Sequence, residues 1–202
     1  MRDAFPVAGP QFPHAGALLS RRIGRLALRL AGWRVEGEIP DRPQLVACVA
    51  PHTSNWDFVL GYVAKMALDV RAHWLGKHTL FRGPFGPLLR AMGGIPVDRT
   101  AAHGIVAQAV TGFHRHPRLL LGVAPEGTRS RVTRWKSGFY HIAREAGVPI
   151  WPVALDWRTR TVRLGPLFTP TGDEDADIAA LQEFFAGVRG RHPERAFPPP
   201  RE

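Results

Sequence analysis

A histidine and an aspartate five positions apart are the residues of this sequence best suited to chemistry. They are His52 and Asp57, in the run PHTSNWDF at positions 51–58. A carboxylate that accepts a hydrogen bond from one imidazole nitrogen fixes the tautomer and leaves the other nitrogen to take a proton. We therefore interpret His52 as a candidate general base oriented by Asp57. A helix cap would explain the same residues without catalysis, because Ser54 and Asp57 have the spacing of a capping box.

Three further blocks combine glycine or proline with side chains suited to binding a ligand. In APEGTRS, at 124–130, Gly127 permits a close backbone approach and Arg129 offers a planar cation that suits phosphate. GGIPVDR, at 93–99, ends in Arg99, and GVPIWPVAL occupies 147–155. Taken singly, these blocks are also compatible with a surface turn, an exposed ion pair at a strand end, and a core strand entered through a helix C-cap glycine.

Alternating strands and helices must position these blocks. The apolar run at 45–50 predicts a buried strand that ends just before His52, and 57–68 has the spacing of a helix. Further strands are predicted near 33–38, 72–75, 95–97, 119–123, 150–157 and 161–164, and helices near 16–32, 101–115, 137–146 and 173–187, with a short helix ending at 92. This order predicts an α/β fold, a single-domain layered sandwich with a largely parallel central sheet flanked by helices. Reactive groups in such folds lie at the carboxyl ends of strands, where His52 is expected.

In this order, the four blocks resemble the lysophospholipid acyltransferase family, the PlsC-type or 1-acylglycerol-3-phosphate acyltransferase-like enzymes. That family carries a His-x4-Asp box, a glycine-led block ending in Arg, a Pro-Glu-Gly-Thr-Arg box and a Val-Pro-Ile-x-Pro-Val block. The resemblance extends from about 45 to 155. It implies His52 as general base assisted by Asp57. It also implies that the acceptor and its phosphate are bound by Arg99, Glu126, Gly127, Thr128 and Arg129.

The resemblance further implies the reaction and its partners. A fatty acyl group would move from acyl-CoA or acyl carrier protein to a hydroxyl of a lysophospholipid or related glycerolipid, with no cofactor. Three apolar positions depart from the family pattern, namely Pro96, Ala124 and Trp151, where other apolar residues are usual. The boxes to which the resemblance assigns the chemistry are intact. Because the departures fall at apolar positions near the expected acyl and acceptor sites, an aminolipid, a glycolipid or a secondary metabolite stays open as an alternative acceptor.

Two other classes of function fit the sequence less well. A metal-dependent hydrolase would use His52 and Asp57 as ligands with His73 or His78, but the sequence has no His-Glu-x-x-His or comparable cluster, and we expect no metal. A non-catalytic module that binds anionic membranes would explain the charge but not four ordered boxes.

The chain is strongly basic. It has 27 Lys and Arg against 17 Asp and Glu, a net charge of +10 over 202 residues. This charge favours anionic partners such as lipid headgroups, coenzyme A phosphates or an acidic acyl carrier protein. No nucleic acid is expected, because zinc-finger spacing, RNP-type aromatic boxes and basic zippers are absent. The single cysteine, Cys48, excludes an internal disulfide.

The segment at 16–32 predicts a basic amphipathic helix. Leucine and isoleucine recur at helical spacing, and arginines occupy much of the remainder. Such a helix either lies on an anionic membrane surface or packs on the protein core, and the pattern fits both.

The organisation of the rest of the chain follows from composition. We expect an acyltransferase domain at 14–190 between a flexible N-terminus at 1–13 and a flexible proline-rich tail at 191–202. The sequence contains neither a signal-peptide pattern nor an apolar run of membrane-spanning length. The expected location is therefore cytoplasmic, with peripheral attachment to the inner face of the cell membrane.

Overall fold

Seven strands form one sheet in the computed structural model, which describes residues 5–98 and 104–197. The strands are β1 (Arg34–Glu36), β2 (Gln44–Ala50), β3 (Ala72–Lys77), β4 (Gly94–Val97), β5 (Leu119–Val123), β6 (Ile150–Asp156) and β7 (Thr161–Leu164). The helices are α1 (Leu18–Leu30), α2 (Asn55–Ala67), α3 (Gly86–Ala91), α4 (Gly104–Arg115), α5 (Gly138–Ala146) and α6 (Glu174–Phe184). Short 3₁₀ helices occupy His78–Phe81 and Pro193–Arg195.

The strand order across the sheet is β1-β7-β6-β2-β5-β3-β4. Every neighbouring pair is parallel except β6 and β7, so β1 and β7 run against the other five strands. The carboxyl ends of β6, β2, β5, β3 and β4 therefore meet at one edge of the sheet. This topology confirms the α/β fold with a largely parallel sheet that the alternating pattern predicts.

Both faces of the sheet are buried, as β2 shows most clearly. Val46, Cys48 and Ala50 pack on the face covered by α4, α5 and α6. Leu45 and Ala47 point the other way and pack on the face covered by α1 and α2. A strand that is buried on both sides contains a continuous apolar run, which is why 45–50 shows no polar alternation.

Local sequence signals begin α2 and end α5 at the expected places. The N–H of Trp56 donates to Oγ of Ser54, and the N–H of Ser54 donates to a carboxylate oxygen of Asp57, which completes a capping box. Helix α5 ends at Ala146 and is capped by Gly147, whose φ of 67° lies in the left-handed region that favours glycine. The chain then enters β6, as the fourth block predicts.

Helix α1 docks on α2 through the face that carries Gly24 and leaves most of its leucines exposed. Gly24 is buried, and a Cβ added there would lie 2.5 Å from the backbone nitrogen of Ala67. Leu28 is also buried, whereas the predicted apolar stripe is exposed at Leu19, Ile23, Leu26 and Leu30. Packing on the core and presenting an apolar stripe therefore occur together, on different faces of one helix. Within the described part of the chain, no helix is long and apolar enough to cross a membrane.

The described residues near both ends contact the domain. Phe12 is fully buried, and its N–H donates to the Asp41 carboxylate. Toward the other end, the indole N–H of Trp135 donates to the carbonyl of Phe197 over 2.9 Å. The division of the chain at 13/14 and 190/191 stays a prediction.

Candidate active site

His52 lies in the loop between β2 and α2, and Asp57 lies in the first turn of α2. Nδ1 of His52 is 3.5 Å from Oδ2 of Asp57. The His52 side chain is 24% exposed and that of Asp57 only 1%. A buried carboxylate thus faces one nitrogen of an accessible imidazole. Among the described residues, Nε2 of His52 has no hydrogen-bond partner. This arrangement suits a base that takes a proton from a bound substrate.

The Asp57 carboxylate is fixed by N–H donors on both oxygens. Oδ2 accepts from the backbone N–H groups of Thr53 and Ser54 over 2.6 and 2.7 Å. Oδ1 accepts from the indole N–H of Trp157 over 2.7 Å. These hydrogen bonds offset the cost of burying a charge. Capping α2 and orienting His52 are therefore compatible roles of one side chain.

Sequence reasoning did not identify Trp157 as a site residue. It follows β6 directly, and β6 pairs in parallel with β2, with Ala154 opposite Ala50. Its ring packs edge-on against Trp33, with centroids 5.1 Å apart. Its position at the carboxyl end of the strand predicted near 150–157 was the available signal, but the identity of the neighbouring strand was not predictable from periodicity.

Glu126 lies beneath the His52 loop. It is 1% exposed, and Oε1 accepts the backbone N–H of His52 over 2.9 Å. Oε2 is buried and has no hydrogen-bond partner among the described residues. Burial raises the pKa of the Glu126 carboxyl to about 7, against the opposing effects of the His52 hydrogen bond and the His52 charge. Glu126 thus supports the loop that carries the base. Its predicted contact with an acceptor stays a prediction.

The turn after β5 brings the rest of its block to the same edge. Gly127 has a φ of 64°, and a Cβ added there would lie 2.9 Å from Cδ of Lys136. Oγ1 of Thr128 accepts the N–H of Ser130 over 3.3 Å. Arg129 is exposed. Arg99, the other arginine predicted to bind the acceptor, lies outside the described residues.

An open depression of about 420 Å³ adjoins the His52 loop. It is lined by Thr53, Ser54, Asn55, Trp56, Arg129, Arg191, His192 and Arg195. The Arg191 guanidinium lies over the rings of Trp157 and Trp56, at 4.9 and 5.4 Å from their centroids. Three arginines therefore surround the box residues on this side, and two of them were not predicted.

His73 and His78, the two additional candidates for a metal site, lie away from His52. His73 is on β3 and His78 follows that strand, with β5 standing between β3 and β2. The described residues contain no group of three or more His, Cys, Asp or Glu side chains that could hold a metal ion.

The chain resembles known proteins in both sequence and structure. Residues 33–156 match the sequence model of a family described as Acyltransferase. The chain is 33% identical over 168 residues to 1-acyl-sn-glycerol-3-phosphate acyltransferase of Escherichia coli (strain K12), covering 78% of this chain and 66% of the relative. It is 34% identical over 152 residues to the Haemophilus influenzae protein of the same name, covering 70% and 61%. The chain thus spans about two thirds of the length of these curated relatives.

The fold is also similar to a crystal structure of PlsC from Thermotoga maritima, a 1-acyl-sn-glycerophosphate (LPA) acyltransferase. The TM-score is 0.60 at 21% identity, and the superposition covers 82% of this chain and 75% of that chain.

Proposed function

Because this chain belongs to the acyltransferase family, we propose that it transfers a fatty acyl group from an acyl thioester to a hydroxyl of a lysophospholipid or related glycerolipid. The names of its relatives support this reaction class. One observation carries the proposal, namely the accessible His52 imidazole 3.5 Å from the buried Asp57 carboxylate. That pair suits removal of a proton from a hydroxyl.

In the proposed mechanism, Nε2 of His52 accepts the proton of the acceptor hydroxyl while the hydroxyl oxygen attacks the thioester carbonyl carbon. Asp57 stabilises the imidazolium that forms. The carbon–sulfur bond then breaks, and the leaving thiolate takes the proton from the imidazolium. The acceptor itself is the nucleophile, so no acyl-enzyme is required.

Acceptor binding is proposed for the residues that the family resemblance implies, Arg99, Glu126, Gly127, Thr128 and Arg129. Arginine suits this task because its fork of N–H groups matches two phosphate oxygens and holds the hydroxyl in place for attack. The position of Arg129 beside the box residues supports its assignment.

The donor is proposed to be acyl-CoA or an acyl carrier protein. Coenzyme A carries several phosphates, and carrier proteins are acidic. The net charge of +10 supports attraction of either partner over a distance.

We propose that α1 attaches the protein to an anionic membrane, at the inner face of the cell membrane. The exposed leucines of α1 support this role, because an apolar stripe can enter the acyl-chain boundary. Arg22 and Arg29 are exposed on the same helix and are available to lipid phosphates, whereas Nε of Arg25 donates to the carbonyl of Ala67 in the docking interface. A lipid acceptor would then reach the site from the surface to which the protein is bound.

The experiment that tests the proposal measures release of free thiol from acyl-CoA by the purified protein. Release should depend on added lysophosphatidate, and mass spectrometry should identify phosphatidate as the product. The acceptor panel includes an aminolipid, a glycolipid and a neutral monoacylglycerol. Transfer only to the aminolipid or the glycolipid would contradict a glycerolipid acceptor. Thiol release that is independent of every acceptor would contradict acyl transfer itself.

A further inference from the structure

We propose that the C-terminal segment, residues 189–195, completes an anion-binding site beside His52 that holds a phosphoryl group of one of the two substrates. Which substrate carries that group rests on the proposed function, whereas phosphate binding itself does not. The segment lies outside the residues 33–156 that match the family.

The backbone of the C-terminal segment is fixed against the catalytic loop. The N–H of Trp157 donates to the carbonyl of Arg189 over 2.8 Å, and the N–H of His192 donates to Oγ1 of Thr53 over 3.2 Å. Between these two hydrogen bonds, a Cβ added at Gly190 would lie 2.8 Å from the Thr53 side chain. Only glycine permits so close an approach, so the segment and the loop form one surface.

The charges around the depression are unbalanced. Arg129, Arg191 and Arg195 line it, and the described residues that line it include no Asp or Glu. Arg195 pairs with the Glu194 carboxylate, which is 66% exposed and lies 3.7 Å from Nε of Arg195 and 3.6 Å from Nδ1 of His192. Within the described part of the chain, Arg129 and Arg191 have no carboxylate at ion-pair distance. An excess of positive charge in a recess attracts an anion, and the planar guanidinium matches phosphate oxygens in pairs.

Arg191 is positioned by two aromatic rings. Its guanidinium lies over the rings of Trp157 and Trp56, 4.9 and 5.4 Å from their centroids. Cation–π contact holds a cation in place without using its N–H donors as hydrogen bonds, so they can bind an anion. The same Trp157 donates to Asp57. A phosphoryl group bound by Arg191 would therefore lie next to the elements that orient the base.

A phosphoryl group is the anion that both proposed substrates share. The acceptor would bring a phosphomonoester headgroup, and the donor would bring the phosphates of coenzyme A or of a phosphopantetheine arm. Steady-state kinetics can separate the two. The variants are Arg191→Ala, Arg195→Ala and the double variant. The control is Arg118→Ala, because Arg118 is exposed just before β5, at the opposite edge of the sheet.

In the first arm, lysophosphatidate is compared with monoacylglycerol. In the second, acyl-CoA is compared with an acyl thioester of N-acetylcysteamine. Losing a charge-assisted hydrogen bond should raise KM for the phosphate-bearing substrate about tenfold in the single variants, and more in the double. KM for its phosphate-free partner should be unchanged. A rise for lysophosphatidate assigns the site to the acceptor, and a rise for acyl-CoA assigns it to the donor. Unchanged KM values in both arms overturn the proposal.

A second measurement does not depend on turnover. Inorganic phosphate and pyrophosphate are titrated into the wild type, the double variant and the Arg118→Ala control, and binding is followed by ³¹P line broadening and by the shift in Tm. We expect binding in the wild type and the control and at least a tenfold weaker Kd in the double variant. Equal binding in all three overturns the site. If the wild type binds phosphate but transfers no acyl group, the site stands and the proposed function fails.

Discussion

The indole N–H of Trp157 donates a 2.7 Å hydrogen bond to Oδ1 of Asp57. The two residues are 100 positions apart and meet because β6 lies beside β2. With Oδ1 held by the indole, Oδ2 is the oxygen that faces Nδ1 of His52. The contact thus selects the orientation of the carboxylate that orients the base.

Trp157→Phe removes this hydrogen bond and keeps an aromatic ring. We expect kcat to fall about tenfold or more with little change in KM, because a hydrogen bond to a buried charge contributes about 1.5–3 kcal/mol. The control is Trp33→Phe, which alters the ring packed edge-on against Trp157 without removing a donor to Asp57. Equal kcat values for Trp157→Phe and Trp33→Phe would contradict this role.

Glu126→Gln tests the buried carboxyl under the His52 loop. The folded-state pKa is raised from 4.5 to about 7 by burial, so the protonated form is favoured in the folded protein. The stability that this preference contributes is full below pH 4.5 and is lost as the pH rises through about 7. Glutamine keeps the oxygen that accepts from His52 but does not titrate. As the pH rises from 4.5 to 8, the free energy of unfolding of the variant should therefore increase by on the order of 3 kcal/mol relative to that of the wild type.

Urea unfolding of both proteins across this pH range measures the difference. All other ionisable groups are common to both proteins, so the difference between the two curves reports the Glu126 carboxyl. Parallel stability curves for Glu126→Gln and the wild type would show that Glu126 is ionised in the folded protein as it is in water.

Gly24→Ala tests how α1 docks on α2. The added Cβ would lie 2.5 Å from a backbone nitrogen of α2, so the helices must separate. Overpacking of this kind costs about 1–3 kcal/mol. The matched control is Gly61→Ala in α2, where nothing lies within 4 Å of the added Cβ and the substitution should stabilise the helix. In thermal unfolding, we expect Gly24→Ala to have a lower Tm than the wild type and Gly61→Ala a higher one. A higher Tm for Gly24→Ala would contradict a close contact between α1 and α2 at this position.

Arg22→Glu with Arg29→Glu tests membrane attachment through α1. Each exposed arginine near an anionic surface contributes on the order of 1 kcal/mol, so reversing two charges should weaken binding to phosphatidylglycerol vesicles by more than tenfold. Wild-type binding should also fall as salt increases. Vesicle sedimentation measures both effects, with Arg118→Glu as control. If the double variant sediments with vesicles as well as the wild type does, α1 is not the element that binds the membrane.

Sequence patterns predicted the position of the His52–Asp57 pair better than they predicted its surroundings. The apolar run of β2 and the capping signal at Ser54 were sufficient to place His52 and Asp57 at the carboxyl end of a strand. Trp157 and Arg191 were missed because their contacts depend on strand order and on the return of the chain after α6, which local periodicity does not encode. For α1, the apolar stripe fitted either a membrane surface or the protein core. The structure leaves that stripe exposed and buries Gly24 and Leu28 on another face, a contact that the spacing of the stripe does not encode.

The most direct test of the account is the rate of acyl transfer from acyl-CoA to lysophosphatidate by His52→Ala. Removal of a general base should lower kcat about 10²–10⁴-fold while leaving Tm unchanged. His141→Ala is the control, because His141 is also partly exposed but lies on α5 and pairs with Glu174 at 3.1 Å. Its turnover should equal that of the wild type. Wild-type turnover in His52→Ala would contradict the assignment of His52 as the base.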